Sequence, residues 1–234
     1  MARANALLAH KGARAAPEAR AAAERALALD PAYAAAHVAL AAALAAEGSE
    51  ASLPQAEAAA RSALEQDPGS AAAHRVLAAV HRAAGDLEGA VLQAQQAIRL
   101  NPSDAPSHAI LGAIALWRGE GGEAVKSLEP ALRLDPARAP ELAPLLGFAY
   151  ALSDRFTKCV DLLEPLAAER ADLLAETALA LCLAELERIG AARRAAARAL
   201  ALWPAFDVAA FVNAWSHAEA RDRVRAGLRR AGLE

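Results

Sequence analysis

The stretch from Pro68 to Pro136 contains one pattern twice. Its first copy reads Ala71-Ala-Ala-His-Arg-Val-Leu-Ala, then Gly85-Asp-Leu-Glu-Gly-Ala, then Gln96-Ala-Ile-Arg-Leu-Asn-Pro102. The second reads His108-Ala-Ile-Leu-Gly, then Gly119-Glu-Gly-Gly-Glu-Ala, then Pro130-Ala-Leu-Arg-Leu-Asp-Pro136. Pro68, Pro102 and Pro136 are therefore spaced by 34 residues. A fixed period of this length indicates an array of stacked repeats.

The composition agrees with a helical array. Hydrophobic residues make up 56% of the 234 residues but aromatic residues only 4%, so the apolar content is mostly Ala and Leu, which favour helices. We therefore predict an all-α fold. The formal net charge of −3 gives no sign of the basic stripe that nucleic-acid binders usually carry, so we expect protein partners instead.

Four positions of the 34-residue period, which we call slots, hold similar residues in each repeat. A Leu in the first helix is followed at once by a small residue, and the second helix carries a small residue that is usually repeated seven positions later. Small residues let two helices approach closely, and one hairpin cannot bury its apolar face alone. The Leu-small pairs are Leu40-Ala41, Leu77-Ala78, Leu111-Gly112, Leu146-Gly147 and Leu179-Ala180, and the second-helix pairs are Ala56 and Ala63, Ala90 and Ala97, Ala124 and Ala131, Cys159 and Leu166, Ala192 and Ala199.

In these slots the chain resembles the tetratricopeptide-repeat family. The resemblance implies an α-solenoid of about six helix-turn-helix repeats with a C-terminal capping helix pair and a right-handed twist. We expect one solenoid over residues 1–234, with repeats at 1–31, 32–68, 69–102, 103–136, 137–170 and 171–204 and the cap at 205–234. The first hairpin would begin with a short helix over Arg3–Lys11. Pro130 and Pro165 should kink or shorten their helices.

No arrangement of side chains suggests catalysis, a cofactor or a metal. Gly119-Glu-Gly-Gly-Glu lacks the Lys-Ser/Thr of a phosphate loop and falls on a turn between helices. His37, His74 and His108 recur once per repeat, so they cannot converge on one ion, and we interpret them as packing residues. We predict that the chain is not an enzyme.

Cys159 and Cys182 are the only cysteines. Both stand in small-residue helix slots, so we expect inert buried thiols and no disulfide framework. The N-terminus shows no apolar core of a secretory signal, and no apolar run is long enough for a membrane span. These observations predict a cytoplasmic protein.

The resemblance also implies a binding groove lined by fixed positions of each first helix. Those positions hold Val38, Arg75, Arg82, Leu116, Trp117, Phe148, Leu152 and Glu185. The family's carboxylate clamp of Lys and Asn is missing. Exposed aromatics beside Arg are frequent interface anchors. We therefore expect a protein or peptide partner with apolar side chains and a carboxylate. In the alternative interpretation, Trp117 and Phe148 pack against neighbouring first helices.

Three functions fit this pattern. The first is a non-catalytic protein-protein interaction scaffold that holds a peptide or partner helix in its groove. The second is a regulatory or sensory segment of a larger bacterial signalling protein, because Trp203-Pro-Ala-Phe-Asp-Val-Ala-Ala-Phe and the Arg-rich end resemble repeat regions attached to nucleotide cyclases and winged-helix regulators. The third is a small-molecule sensor. The sequence does not indicate the oligomeric state.

Overall fold

A computed structural model describes residues 16–213 and 215–233, and every regular element in those ranges is helical. The helices are α1 (Ala16–Leu29), α2 (Ala34–Glu47), α3 (Ser52–Gln66), α4 (Ala71–Ala84), α5 (Leu87–Leu100), α6 (Ala105–Trp117), α7 (Gly121–Leu134), α8 (Ala139–Leu152), α9 (Phe156–Glu169), α10 (Leu173–Glu185), α11 (Ile189–Leu202), α12 (Val208–Asn213) and α13 (Ala218–Arg230). A short 3-10 turn, Pro136–Arg138, precedes α8. The predicted helix over Arg3–Lys11 lies outside the described residues.

The chain divides into two compact bodies. The N-terminal body ends at Leu111 and the C-terminal body begins at Gly112. In the first, α2 pairs with α3 and α4 with α5, and α1 and α3 pack on the helix that follows each of them. In the second, α8 pairs with α9 and α10 with α11. We call α2, α4, α6, α8 and α10 the first helices, since each opens a hairpin.

The small-residue slots form the close helix contacts that the sequence predicted. Ala41, Ala78 and Ala180 have no exposed surface, and the same holds for every second-helix slot except Leu166, which is half-buried. A methyl group added at Gly112 would come within 2.5 Å of the Leu128 side chain. At Gly112 the two helices of the hairpin are therefore closer together than a residue with a side chain would allow.

Helix ends follow local chemistry. Ser70, Asp86 and Asp172 begin α4, α5 and α10 by accepting a backbone N–H with their side chains. After α4 and α6 the chain turns through Gly85 and Gly119, whose φ angles of 86° and 80° suit glycine. The predicted turn at Gly119-Glu-Gly-Gly-Glu is therefore found at Gly119 and Glu120, whereas Gly121, Gly122 and Glu123 already belong to α7.

Some predicted details differ. Pro130 lies inside α7 and Pro165 inside α9, so neither proline shortens its helix. Each proline lacks the N–H that would bind the carbonyl oxygen four residues earlier. That carbonyl belongs to Lys126 in α7 and to Asp161 in α9, and both residues are exposed, so water can bind it. The Leu position of the repeat predicts that Leu111 is buried between the two helices of its hairpin, but it is half-buried.

The C-terminal end also differs in detail. The sequence favours two helices after Pro204, around Asp207–His217 and from about Arg221 to Arg230, whereas the structure has helices at Val208–Asn213 and Ala218–Arg230. In the described part of the chain, no helix is both long and apolar enough to cross a membrane.

Candidate interaction site

The predicted lining residues fall in both bodies, and their surroundings differ. Val38, Arg75 and Arg82 belong to α2 and α4 of the N-terminal body and are half-buried. On the same helix faces lie the exposed Ala42 and Ala46 and the half-buried Ala79. We call these six residues the N-terminal face. Because three of them are alanines, the face presents few large side chains of its own.

Arg75 is the charged centre of the N-terminal face. Its Nε lies 3.5 Å from Oδ1 of Asp104, while the other carboxylate oxygen of Asp104 accepts the backbone N–H of Ser107 at 3.1 Å. The Arg75 side chain remains 35% exposed, and its buried Nε makes no hydrogen bond. Because the Nε is buried, only the exposed part of the guanidinium can meet a further acceptor.

An aromatic cluster dominates the C-terminal body. Ring centroids lie 5.0 Å apart for Trp117 and Trp215, 5.7 Å for Phe148 and Trp215, and 5.6 Å for Phe148 and Phe211, and Phe206 continues the series at 5.5 Å from Phe211. Trp215 is fully buried and Phe148 is 1% exposed. These distances are those of favourable aromatic pairs.

This cluster forms because the C-terminal segment, residues 206–233, packs over the first helices of its own body. Helix α13 contacts α10 and α8. The backbone N–H and the hydroxyl of Ser216 both donate to the carbonyl oxygen of Trp117, at 3.0 and 2.9 Å. Arg223 pairs with Asp154, and Arg230 with Glu185.

Four of the predicted lining residues of this body contact the segment, namely Trp117, Phe148, Leu152 and Glu185. Leu116 and Phe148 are buried, and Trp117, Leu152 and Glu185 are half-buried. The rings of Trp117 and Phe148 contact aromatic residues of the segment, which neither sequence interpretation anticipated. The binding role of the predicted lining residues stays a prediction.

The covering residues Phe206, Phe211 and Trp215 were not among the predicted site residues. A signal was present, because five of the nine aromatic residues of the chain end up in this cluster and three of them lie between positions 206 and 215. Aromatics concentrated in a short stretch outside the repeat slots indicate a segment that packs elsewhere.

The two cysteines are not free thiols, so that prediction was wrong. Cys159 on α9 and Cys182 on α10 form a disulfide with Cα atoms 6.4 Å apart, a usual separation. Both residues are fully buried. The repeat slots had indicated that each cysteine is small and buried, but not that the stacking of consecutive hairpins places the two side by side.

The predicted histidines hold local contacts. The Nε2 atoms of His37 and His108 lie 2.9 and 3.0 Å from the carbonyl oxygens of Pro31 and Pro102, so each ring binds the proline that ends the preceding repeat. His74 instead pairs with Gln93 at 2.7 Å. Within the described residues, no group of three or more His, Cys, Asp or Glu side chains is placed to hold a metal ion.

Two polar contacts in the C-terminal body perturb ionisation. Glu176 is 1% exposed and accepts two hydrogen bonds from Arg198, at 2.6 and 2.8 Å, which raises the pKa of that guanidinium. Burial, together with a 2.8 Å hydrogen bond to Glu129, raises the pKa of the Tyr150 phenol. Both contacts join neighbouring helices, and their geometry is that of packing interactions.

Comparisons with known proteins identify the fold. No protein-family model and no curated protein sequence matches the chain. Among solved structures, the APC/C hetero-tetramer Cut9-Hcn1 matches with a TM-score of 0.68 and 22% identity over 92% of this chain, and this chain spans only 40% of the chain it matches. PilF of Pseudomonas aeruginosa matches with a TM-score of 0.63, 21% identity and coverage of 85% and 89%.

A third match is a solved structure described as a TPR, or tetratricopeptide-repeat, protein. YrrB, described as a TPR protein with an unusual peptide-binding site, has a TM-score of 0.57 and 20% identity, with coverage of 74% of this chain and 90% of its own. The chain therefore has the tetratricopeptide-repeat fold, as its sequence predicted. At these identities the likeness concerns the fold alone.

Proposed function

We propose that this chain is a non-catalytic protein-protein interaction module that holds a peptide or a partner helix on its N-terminal face. The observation that carries this proposal is Arg75, whose side chain remains 35% exposed beside the alanines of this face although its Nε lies against Asp104. Arg82 lies about two turns further along the same helix. A partly exposed guanidinium on an otherwise alanine-rich face favours a partner that brings a carboxylate and its own large apolar side chains.

The solved structures of similar fold support an interaction role. The description of YrrB refers to a peptide-binding site, and Cut9 was solved in a hetero-tetramer with Hcn1. A role as a regulatory segment of a larger bacterial signalling protein and a role as a small-molecule sensor stay predictions, because no contact described above favours either.

Location in the cytoplasm also stays a prediction. The disulfide between Cys159 and Cys182 argues against it, since structural disulfides are rare in reducing compartments.

The partner class can be tested with random peptides. Peptides selected on the full chain from a display library should be enriched in carboxylate side chains, and their affinity should fall about tenfold or more for Arg75→Gln, the loss of about one charged hydrogen bond. Arg99→Gln is the matched control, because Arg99 is an exposed arginine on a second helix of the same body. Peptides that bind Arg75→Gln and wild type equally would refute the proposal.

A further inference from the structure

We propose that the C-terminal body carries a separate helix-binding site, formed by the ends of the first helices α6, α8 and α10, and that the chain occupies this site with its own C-terminal segment as an internal ligand. The site recognises an amphipathic helix with arginines spaced by seven residues. This inference is independent of the proposed function, which concerns the N-terminal face.

The polar contacts of the segment follow the repeats. Ser216 binds the carbonyl oxygen of Trp117, the last residue of α6. Arg223 reaches the carbonyl oxygen of Leu152, the last residue of α8, as well as Asp154 just beyond it. Arg230 pairs with Glu185, the last residue of α10. The segment thus contacts three successive first helices, each at its C-terminal end.

The spacing of these contacts has a physical basis. Arg223 and Arg230 are seven residues apart on α13, which is about 10.5 Å along a helix axis. Packed helices lie about 8–10 Å apart, and α8 and α10 are packed first helices of consecutive repeats. One arginine per two helical turns therefore meets one first helix per repeat. The helix C-termini carry partial negative charge, which suits arginine.

Apolar contacts lie between the two arginines. Val224 and Leu228 are fully buried, and Gly227 lets α13 approach so closely that an added methyl group would overlap the side chain of Leu181. The recognised helix therefore needs a small residue and two apolar residues on the face that also presents the arginines.

The fit of the segment leaves one defect. Trp215 is fully buried, and its indole Nε1 finds no hydrogen-bond partner in the described structure. A buried donor without a partner costs free energy. A partner helix that carries Phe at the position equivalent to Trp215 would avoid that cost. Such a ligand would therefore have an advantage in displacing the chain's own C-terminal segment.

Peptide exchange tests this proposal. A protease recognition sequence is inserted at the exposed Pro204-Ala205 turn, and the full chain is cleaved there so that the segment is no longer tethered. A fluorescent peptide of residues 206–233 is then added in excess. We expect it to bind the cleaved chain and to bind the uncleaved chain at least 100-fold more weakly, because a tethered competitor acts at millimolar effective concentration.

Peptide variants test the spacing. A peptide with Arg223→Gln and Arg230→Gln should bind at least tenfold more weakly, whereas one with Arg229→Gln, whose residue is exposed on the same helix, should bind like the unmodified peptide. A peptide with Trp215→Phe should bind at least as tightly.

Two results would overturn the inference. A cleaved chain that keeps a native circular dichroism spectrum yet never exchanges its segment would show that the segment is an integral part of the fold. A loss for Arg229→Gln that equals the loss per arginine in the double variant would show that net charge, and not the seven-residue spacing, governs binding. Neither result bears on the N-terminal face, which Arg75→Gln tests separately.

Discussion

Replacing Gly147 by Ala tests the hairpin packing most directly. A methyl group at this position of α8 would lie 2.5 Å from Cδ1 of Leu163 and 3.4 Å from Cβ of Ala178. Leu163 is fully buried, so its side chain has to shift within the core to admit the methyl group. Overpacking of this kind costs about 1–3 kcal/mol. The better helix propensity of Ala returns up to about 1 kcal/mol, so a matched control is needed.

Gly122 of α7 provides that control, since a methyl group there would meet no atom within 4 Å. Both variants replace a helical glycine, so their difference isolates the steric cost. We expect Gly147→Ala to be about 1–3 kcal/mol less stable than Gly122→Ala in urea unfolding followed by far-UV circular dichroism. Adding Leu163→Val should recover part of the loss, as coupled neighbours do. Equal stability of the two glycine variants would refute the close packing of α8 and α9.

Three further predictions concern other parts of the chain. The disulfide closes a loop with a sequence separation of 23, so replacing Cys159 and Cys182 together by Ala should lower stability by about 3 kcal/mol; an unchanged urea midpoint would contradict this. The pKa of Asp86 is lowered in the folded protein, chiefly because its carboxylate accepts the Gly89 N–H. The carboxylate therefore stabilises the fold at pH values above its unfolded-state pKa near 3.8, and this contribution is lost as the pH falls through its lower folded-state pKa. Asp86→Asn should therefore flatten the acid dependence of the unfolding midpoint, and parallel curves would be evidence against it. Trp215→Phe should remove the quencher-resistant, blue-shifted part of the tryptophan emission, which would persist if that residue were exposed.

The repeat architecture was predictable because it rests on local rules. A 34-residue period with Ala or Gly at the points of closest approach allows few packings other than stacked hairpins, and Ala56, Ala90, Ala124 and Ala192 all lie fully buried where the slots placed them. Helix ends were predictable for the same reason, since glycine and the capping side chains act within a few residues.

The C-terminal cover and the disulfide could not be derived in this way. The helical period tells which side of α13 is apolar, but not which surface that side contacts, because a capping helix and a groove-filling helix have the same pattern. The pairing of Cys159 with Cys182 depends on how α9 and α10 of successive hairpins are aligned, which is a tertiary property.

The size of the side chains explains why one face is covered and the other is accessible. The C-terminal body presents Trp117 and Phe148 from its first helices, and large apolar rings of this kind are costly to leave in water. The corresponding positions of the N-terminal body hold alanines such as Ala42 and Ala46, which are exposed at little cost. An accessible alanine-rich face offers little apolar area of its own, so a partner bound there has to supply the large side chains. Arg75 would then fix the register of that partner through charge.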